Sequence, residues 1–431
     1  MYPSTEAVFG QLRAATGHVQ KINALPWRSF LTTKETQSMK QSRSTLTKLA
    51  FTASATLLAS PAFAQSSVTL YGAVDDAIVY ANNQKGASNV YLRQGNLYAS
   101  KWGLRGVEDI GGGTTVVFDL QNGFDPNTGA LSSSTQIFNR QAYIGMQNPM
   151  YGTFTVGRQY TTYYQFVGPL ASSNWLTGAT GAHPGDIDGL DTTIRINNSL
   201  IYTTPNWNGL QASGMYALGG IAGSTGKGET ISAGVRYTTG PVNLAAGYLR
   251  MDNAQETTGF DAASTGSFGT SSLNTGYVSA KALQHIAAAA DYTIGNLMMG
   301  LTYTNVQYVA GGRSIFHDTA IFNTYAALAT YRFAPDFDVA GAFSYTLASQ
   351  ANGITSAARY QQYSLKQTYH LSKRTSLYAV QAYQRASGET LGSKGAGNIV
   401  EATPAVGDSQ NSTPSSTNAQ FVGMFGIAIL F

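Results

Sequence analysis

The sequence predicts an all-β chain, a sixteen-stranded antiparallel transmembrane β-barrel, on three observations. Only 11% of its 431 residues are charged, against about 25% in a soluble domain. No apolar run of about 20 residues is present to cross a membrane as a helix. Segments of about ten residues alternate apolar and polar side chains again and again, rich in Tyr, Val, Ile, Thr and Phe. The absence of Cys removes a disulfide framework, a thiolate nucleophile and cysteine metal ligands.

The first element is a leader. Lys40, Arg43 and Lys48 precede the apolar stretch 49–60, and Ala62-Phe63-Ala64 supplies an A-x-A cleavage site. This is a secretory signal peptide over 39–64, cut between Ala64 and Gln65, with an apolar core too short to span. Residues 1–38 read as an over-called N-terminal extension, with Met39 as the start. Without 1–64 the chain holds 19 basic and 20 acidic residues, so no basic patch points to nucleic acid. The predicted barrel runs over 65–431.

Sixteen strands follow, at 68–81, 90–109, 112–123, 136–147, 152–160, 197–205, 210–218, 229–239, 241–251, 282–294, 296–308, 320–333, 335–347, 357–370, 374–386 and 420–431. The connections alternate. Those at 82–89, 124–135, 161–196, 219–228, 252–281, 309–319, 348–356 and 387–419 are long. The rest are tight turns such as Gly240, Gly295 and Ala334. Short turns on one side and long loops on the other describe an outer-membrane barrel. Lipid offers the backbone no hydrogen-bond partner, so a sheet crosses it only when closed, and sixteen strands enclose an aqueous channel. A secreted β-sandwich or adhesin shares the alternation of residues but not that of the loops.

The last strand places Phe421, Gly423, Phe425, Ile427, Ile429 and Phe431 on one face. A strand ending on Phe431 suits a closing strand with its aromatic in the interfacial girdle. Tyr71, Tyr143, Tyr248, Tyr303, Tyr331, Tyr369 and Tyr383 are expected in the same girdles. Other motifs fail. The run 223–229 lacks the residue after Lys227 that a phosphate loop needs. No helix follows Gly111-Gly112-Gly113. None of His183, His285, His317 and His370 falls in a metal or nucleophile motif. No metal, cofactor or catalytic residue is expected.

Gln65-Ser66-Ser67-Val68-Thr69-Leu70-Tyr71-Gly72, Ser100-Lys101-Trp102-Gly103-Leu104-Arg105-Gly106-Val107-Glu108-Asp109-Ile110-Gly111, Asn139-Arg140-Gln141-Ala142-Tyr143-Ile144-Gly145, Tyr151-Gly152-Thr153-Phe154-Thr155-Val156-Gly157-Arg158-Gln159-Tyr160 and Arg195-Ile196-Asn197-Asn198-Ser199 carry a resemblance. Together with Phe431 they resemble the Gram-negative general diffusion porins, in particular their β-proteobacterial subfamily. The resemblance implies a homotrimer of sixteen-stranded barrels in the outer membrane, among lipids and lipopolysaccharide. It also implies assembly by the barrel-assembly machinery, with Phe431 as the C-terminal signal, and a long third loop, here 161–196, folded into the lumen.

The resemblance carries Lys101, Arg105, Arg140, Arg158 and Arg195 onto the family's basic wall, facing an acidic cluster on the third loop. The family often has a further basic residue on the first strand, where this chain has Ala73. Parity supports several of these positions independently, because an Arg on the lipid face costs about 2–4 kcal/mol at the midplane. Lys101 and Arg105 share one face while Trp102 and Leu104 take the other. Arg140 is expected in the lumen on the same cost, in phase with Ala142 and Ile144. Arg158 shares parity with Phe154 and Val156, so a local bulge is needed to turn it inward.

Asp186, Asp188 and Asp191 on the loop read as an acidic rim. A solvated turn-forming loop and a calcium site of incomplete spacing are the alternatives. Opposed charges across a pore sort solutes by charge and dipole. The expected function is passive diffusion of ions and small hydrophilic solutes, with five basic groups against three acidic ones leaning toward anions. A sugar- or carboxylate-selective channel, a barrel enzyme and an adhesive β-protein are the competing readings.

Overall fold

A computed structural model describes residues 66–256, 271–408 and 413–431. The predicted leader and its cleavage junction at Ala64 and Gln65 lie outside the described residues. The strands are β1 Ser67–Gln84, β2 Ala87–Gln94, β3 Lys101–Gly111, β4 Thr114–Gly123, β5 Gln141–Asn148, β6 Gly152–Tyr160, β7 Arg195–Thr203, β8 Leu210–Ala217, β9 Thr230–Thr239 and β10 Val242–Asp252. They continue as β11 Ala282–Ile294, β12 Leu297–Val309, β13 Ala320–Ala334, β14 Phe337–Ala348, β15 Arg359–His370, β16 Thr375–Ser387, β17 Glu389–Leu391, β18 Ile399–Glu401 and β19 Ala419–Leu430.

Every neighbour in the main sheet is antiparallel, and β1 closes it on β19, from Ala73↔Leu430 to Ala81↔Val422. Phe431 N–H donates to Gly72 O at 3.1 Å, and Gly72 N–H returns the bond at 2.9 Å. The seam leaves no open edge, as a wall in hydrocarbon requires. The short β17–β18 hairpin is a separate two-stranded piece inside the last long connection.

The upper half of β1 pairs with β2 and the lower half with β3. Together β2 and β3 fill one wall position, which makes sixteen. The expected single strand 90–109 is thus broken at 95–100, and the cause is a side chain. Asp75 on β1 accepts the N–H groups of Leu97 at 2.5 Å and Tyr98 at 2.7 Å, and the Tyr378 hydroxyl at 2.6 Å. A buried carboxylate here replaces the ladder as acceptor. The connection read as long at 82–89 is a tight turn at Lys85-Gly86, because β1 and β2 extend beyond the expected strand ends.

Side chains alternate between a polar lumen and an apolar belt. On β19, Phe425, Ile427 and Ile429 are exposed outward while Val422, Met424 and Ala428 are buried inward. Tyr303, Tyr331, Tyr369 and Tyr383 stand on the outer face. Tyr71 does not join that girdle. It points inward, where its hydroxyl donates to Asp119 and accepts from Gln121 Nε2.

Candidate functional site

The third long connection, 161–194, folds into the lumen, and its apolar residues form the core there. Tyr163, Val167, Leu170, Ile187 and Leu190 pack against Ala245, Leu249, Ala287, Ala289 and Val306 of the wall. The loop starts with a short helix, Thr162–Val167, whose N-cap Thr161 accepts the Tyr164 N–H. Ser232 on β9 fixes that helix. It lies 2.9 Å from the Thr162 hydroxyl and accepts the Tyr163 N–H at 2.9 Å. Two wall glycines make room for it. A Cβ on Gly234 would sit 2.8 Å from Thr162 O, and one on Gly247 would sit 3.0 Å from the Tyr163 ring.

The loop then crosses to the opposite wall. Arg93 Nη2 donates to Thr180 Oγ1 at 2.8 Å, and Gln362 Nε2 donates to Ala182 O at 2.7 Å. Its return is tied to β12. Asp188 Oδ2 lies 2.6 Å from His183 Nδ1 and accepts the Thr304 hydroxyl at 2.9 Å. Asp186 accepts the Asp191 N–H at 3.1 Å and the Thr193 hydroxyl. Asp186 and Asp188 are therefore spent inside the loop or against the wall, and of the three expected acids Asp191 alone lines the open space.

That space is a cavity of about 270 Å³. Arg140, Arg158 and Arg195 form one side, while Asp191 and Asp408 contribute the acids. Each of the three residues is 5–7% exposed and donates to uncharged oxygens nearby. Arg140 donates to Gln121 Oε1 at 2.9 Å and to Tyr160 Oη at 2.8 Å. Arg195 donates to the same Tyr160 Oη at 3.3 Å and lies 5.2 Å from the centre of its ring. Arg158 donates to Asn139 O at 2.8 Å and to Asn197 Oδ1 at 2.6 Å.

The inward turn of Arg158 has a visible cause. The β6–β7 ladder slips between Gly157 and Gln159, and Gly157 has φ 137°. A Cβ at Gly157 would lie 2.2 Å from Ala142 O. Only glycine permits that backbone and that approach, and β-bulges re-aim side chains in this way. Arg140 reaches the lumen by another route than the one expected from parity. Ile144 faces outward and β5 begins at Gln141, so Arg140 precedes the regular strand. Lys101 and Arg105 do not line the cavity. Lys101 is buried at the start of β3. Arg105 lies over the Tyr71 ring at 4.7 Å and pairs with Asp119 at 3.4 Å.

Asp408 comes from the last long connection and has no counterpart among the expected site residues. Gln384 Oε1 accepts the Ala405 N–H at 2.8 Å, and Gln420 Oε1 accepts the Val406 N–H at 2.7 Å, which turns this connection inward. Asp408 shares a hydrogen bond with Asp191. Burial pushes the Asp191 carboxyl well above the ordinary range, and the neighbouring Asp408 and Asp186 push it further. Burial and Asp188 raise Asp186 in the same way. Burial also opposes charge on Asp188, but the His183 contact outweighs it and holds that carboxyl below its ordinary value. The two carboxyls share a hydrogen bond, which opposes ionisation of both at once, and they face three guanidinium groups.

Comparison with known proteins agrees with this architecture. A family model described as Gram-negative porin matches residues 50–389. An outer membrane porin protein of Bordetella pertussis is 29% identical over 356 residues, covering 76% of this chain and 91% of that protein. Outer membrane porin protein 32 of Delftia acidovorans is 32% identical over 211 residues, 45% of this chain and 56% of its own length. Among solved structures, the anion-selective porin from Comamonas acidovorans superposes with a TM-score of 0.62 at 22% identity, over 85% of this chain and all of that one. The chain belongs to the Gram-negative porin family and forms an outer-membrane barrel around a water-filled channel for passive diffusion of ions and small hydrophilic solutes.

Proposed function

We propose that this channel favours anions and that Arg140, Arg158 and Arg195 set the preference. The supporting observation is the lining of the cavity, three guanidinium groups against two carboxyls that share a hydrogen bond. Rings of basic side chains make pores anion-selective. The channel carries out no reaction, and flux follows the gradient. The related barrel from Comamonas acidovorans is described as anion-selective, which fits this reading.

We also propose a homotrimer joined through the outer faces of β1 and β19, where Ile78, Tyr80, Phe425 and Ile427 are exposed. An outer membrane protein of Vibrio cholerae with a similar barrel was solved in a trimer form, at a TM-score of 0.58 and 16% identity, over 85% of this chain and 99% of that one. Phe431 would act as the assembly signal at the seam it closes. Reversal potential under a KCl gradient tests the selectivity, and an anion-preferring sign is expected. Gel mobility in mild detergent tests the oligomer. A heat-resistant oligomer band is expected, and a monomer under those conditions counts against it.

A further inference from the structure

Strand β11 carries four consecutive alanines, Ala287 to Ala290, although alanine is depleted in strands. The inward pair has a reason. Ala287 and Ala289 lie under Val167 and Leu170 of the third loop, in one packed cluster. The outward pair, Ala288 and Ala290, contributes instead to a groove on the outer wall across β10–β14, with a volume of about 610 Å³.

The registers show how the groove is made. Leu244, Ala290, Leu301, Ala327 and Phe343 stand side by side on five successive strands. Large and small residues alternate, so Ala290 and Ala327 are hollows on either side of Leu301. Among the described residues, no charged side chain lines the groove. The stacked pair Tyr303 and Tyr325, with ring centres 5.1 Å apart, bounds it on the loop side. Tyr292 and Tyr331 stand exposed toward the short turns. Aromatic rows mark the two edges of the apolar band of a barrel, so the groove opens into hydrocarbon. Its β10 end lies half the barrel from the β1–β19 seam, and its β14 end lies three strands from β19.

We propose that this groove holds one acyl chain of an outer-membrane lipid. The inference rests on the membrane placement of the wall and not on the selectivity reading. A hollow of this size falls within the range of specific ligand sites, about 300–1,000 Å³. A fluid chain lying against Leu301 in the hollow at Ala290 or at Ala327 would exchange more slowly than its neighbours along the convex belt.

The test counts retained lipid. The full barrel is reconstituted with phosphatidylethanolamine, moved to mild detergent and weighed by native mass spectrometry. The wild type is expected to keep one phospholipid per barrel. The double variant Ala290→Phe/Ala327→Phe fills both hollows and should lower that occupancy at least tenfold. Leu365→Phe, on the exposed belt outside the groove, should leave it unchanged. If the bulky pair fails to fold, Ala290→Val/Ala327→Val must lower occupancy in the same direction. No retained lipid in the wild type, or equal occupancy in wild type and filled variants, overturns the proposal. Loss of the oligomer with lipid retention unchanged overturns it too and makes the groove a contact between subunits.

Discussion

Replacing Arg158 with Gln removes one of three positive charges from the cavity and keeps a polar side chain at the bulge. The charge of the cavity becomes less positive by one unit. A unit charge about 6 Å from a passing ion contributes about 0.7 kcal/mol at the dielectric of water, and more in a confined lumen. That lower value is a factor of about 3. It disfavours anions and favours cations together, so the permeability ratio should fall about tenfold. The assay is reversal potential across a planar bilayer under a KCl gradient. It is run near 0.1 M, where the screening length of about 10 Å leaves the charge visible. Arg105→Gln is the control. Arg105 is charged and inward, but it is paired with Asp119 outside the cavity, and it should move the ratio much less. A ratio unchanged by Arg158→Gln, or moved equally by both substitutions, would refute the assignment of selectivity to the cavity.

Four further outcomes follow from the same geometry. Gly234→Val places a side chain against Thr162 and Phe166; it should cost about 1–3 kcal/mol and loosen the third loop, read as lower thermal stability and noisier open-channel current. Asp188→Ala leaves His183 and Thr304 without their shared acceptor and should cost about 1–3 kcal/mol for each buried polar group left unpaired. The wild-type contribution is present above the ordinary carboxylate value and is lost as pH falls through the lowered folded value, so acid unfolding should show it. Raising pH through the raised titration of Asp191 adds a negative charge beside the three guanidinium groups; anion preference should fall with rising pH in the wild type and lack that step in Asp191→Asn. Asp75→Ala removes the acceptor for Leu97, Tyr98 and Tyr378 and should slow refolding of the barrel, followed by heat-modifiable gel mobility.

The fold was legible because lipid imposes a strict grammar. Alternation, closure and unequal loops leave their mark on every strand, and the strand from 282 to 294 matches the sequence reading to the residue. The break at 95–100 was not legible, because its cause is Asp75, a residue on another strand. Arg158 shows both sides. Parity forbade its inward turn and required a bulge, and Gly157 supplies one. The acids were harder. Asp186, Asp188 and Asp191 lie close together in sequence, yet hydrogen bonds inside the loop decide which of them meets water. Asp408 left a fainter trace, as the only charged residue after Glu401. Its position depends on Gln384 and Gln420, whose inward-facing amides cannot be assigned to a loop from sequence spacing.

A passive pore with Arg140, Arg158 and Arg195 at its narrow part makes itself known electrically. The most direct measurement is single-channel recording of the purified wild-type barrel in a planar bilayer, first in symmetric KCl and then under a gradient. Discrete steps are expected, with a linear current–voltage relation at low voltage and a reversal potential on the anion-preferring side. Folded trimers that insert without conducting would contradict the open channel. Conducting steps with a cation-preferring reversal potential would contradict the role given to Arg140, Arg158 and Arg195.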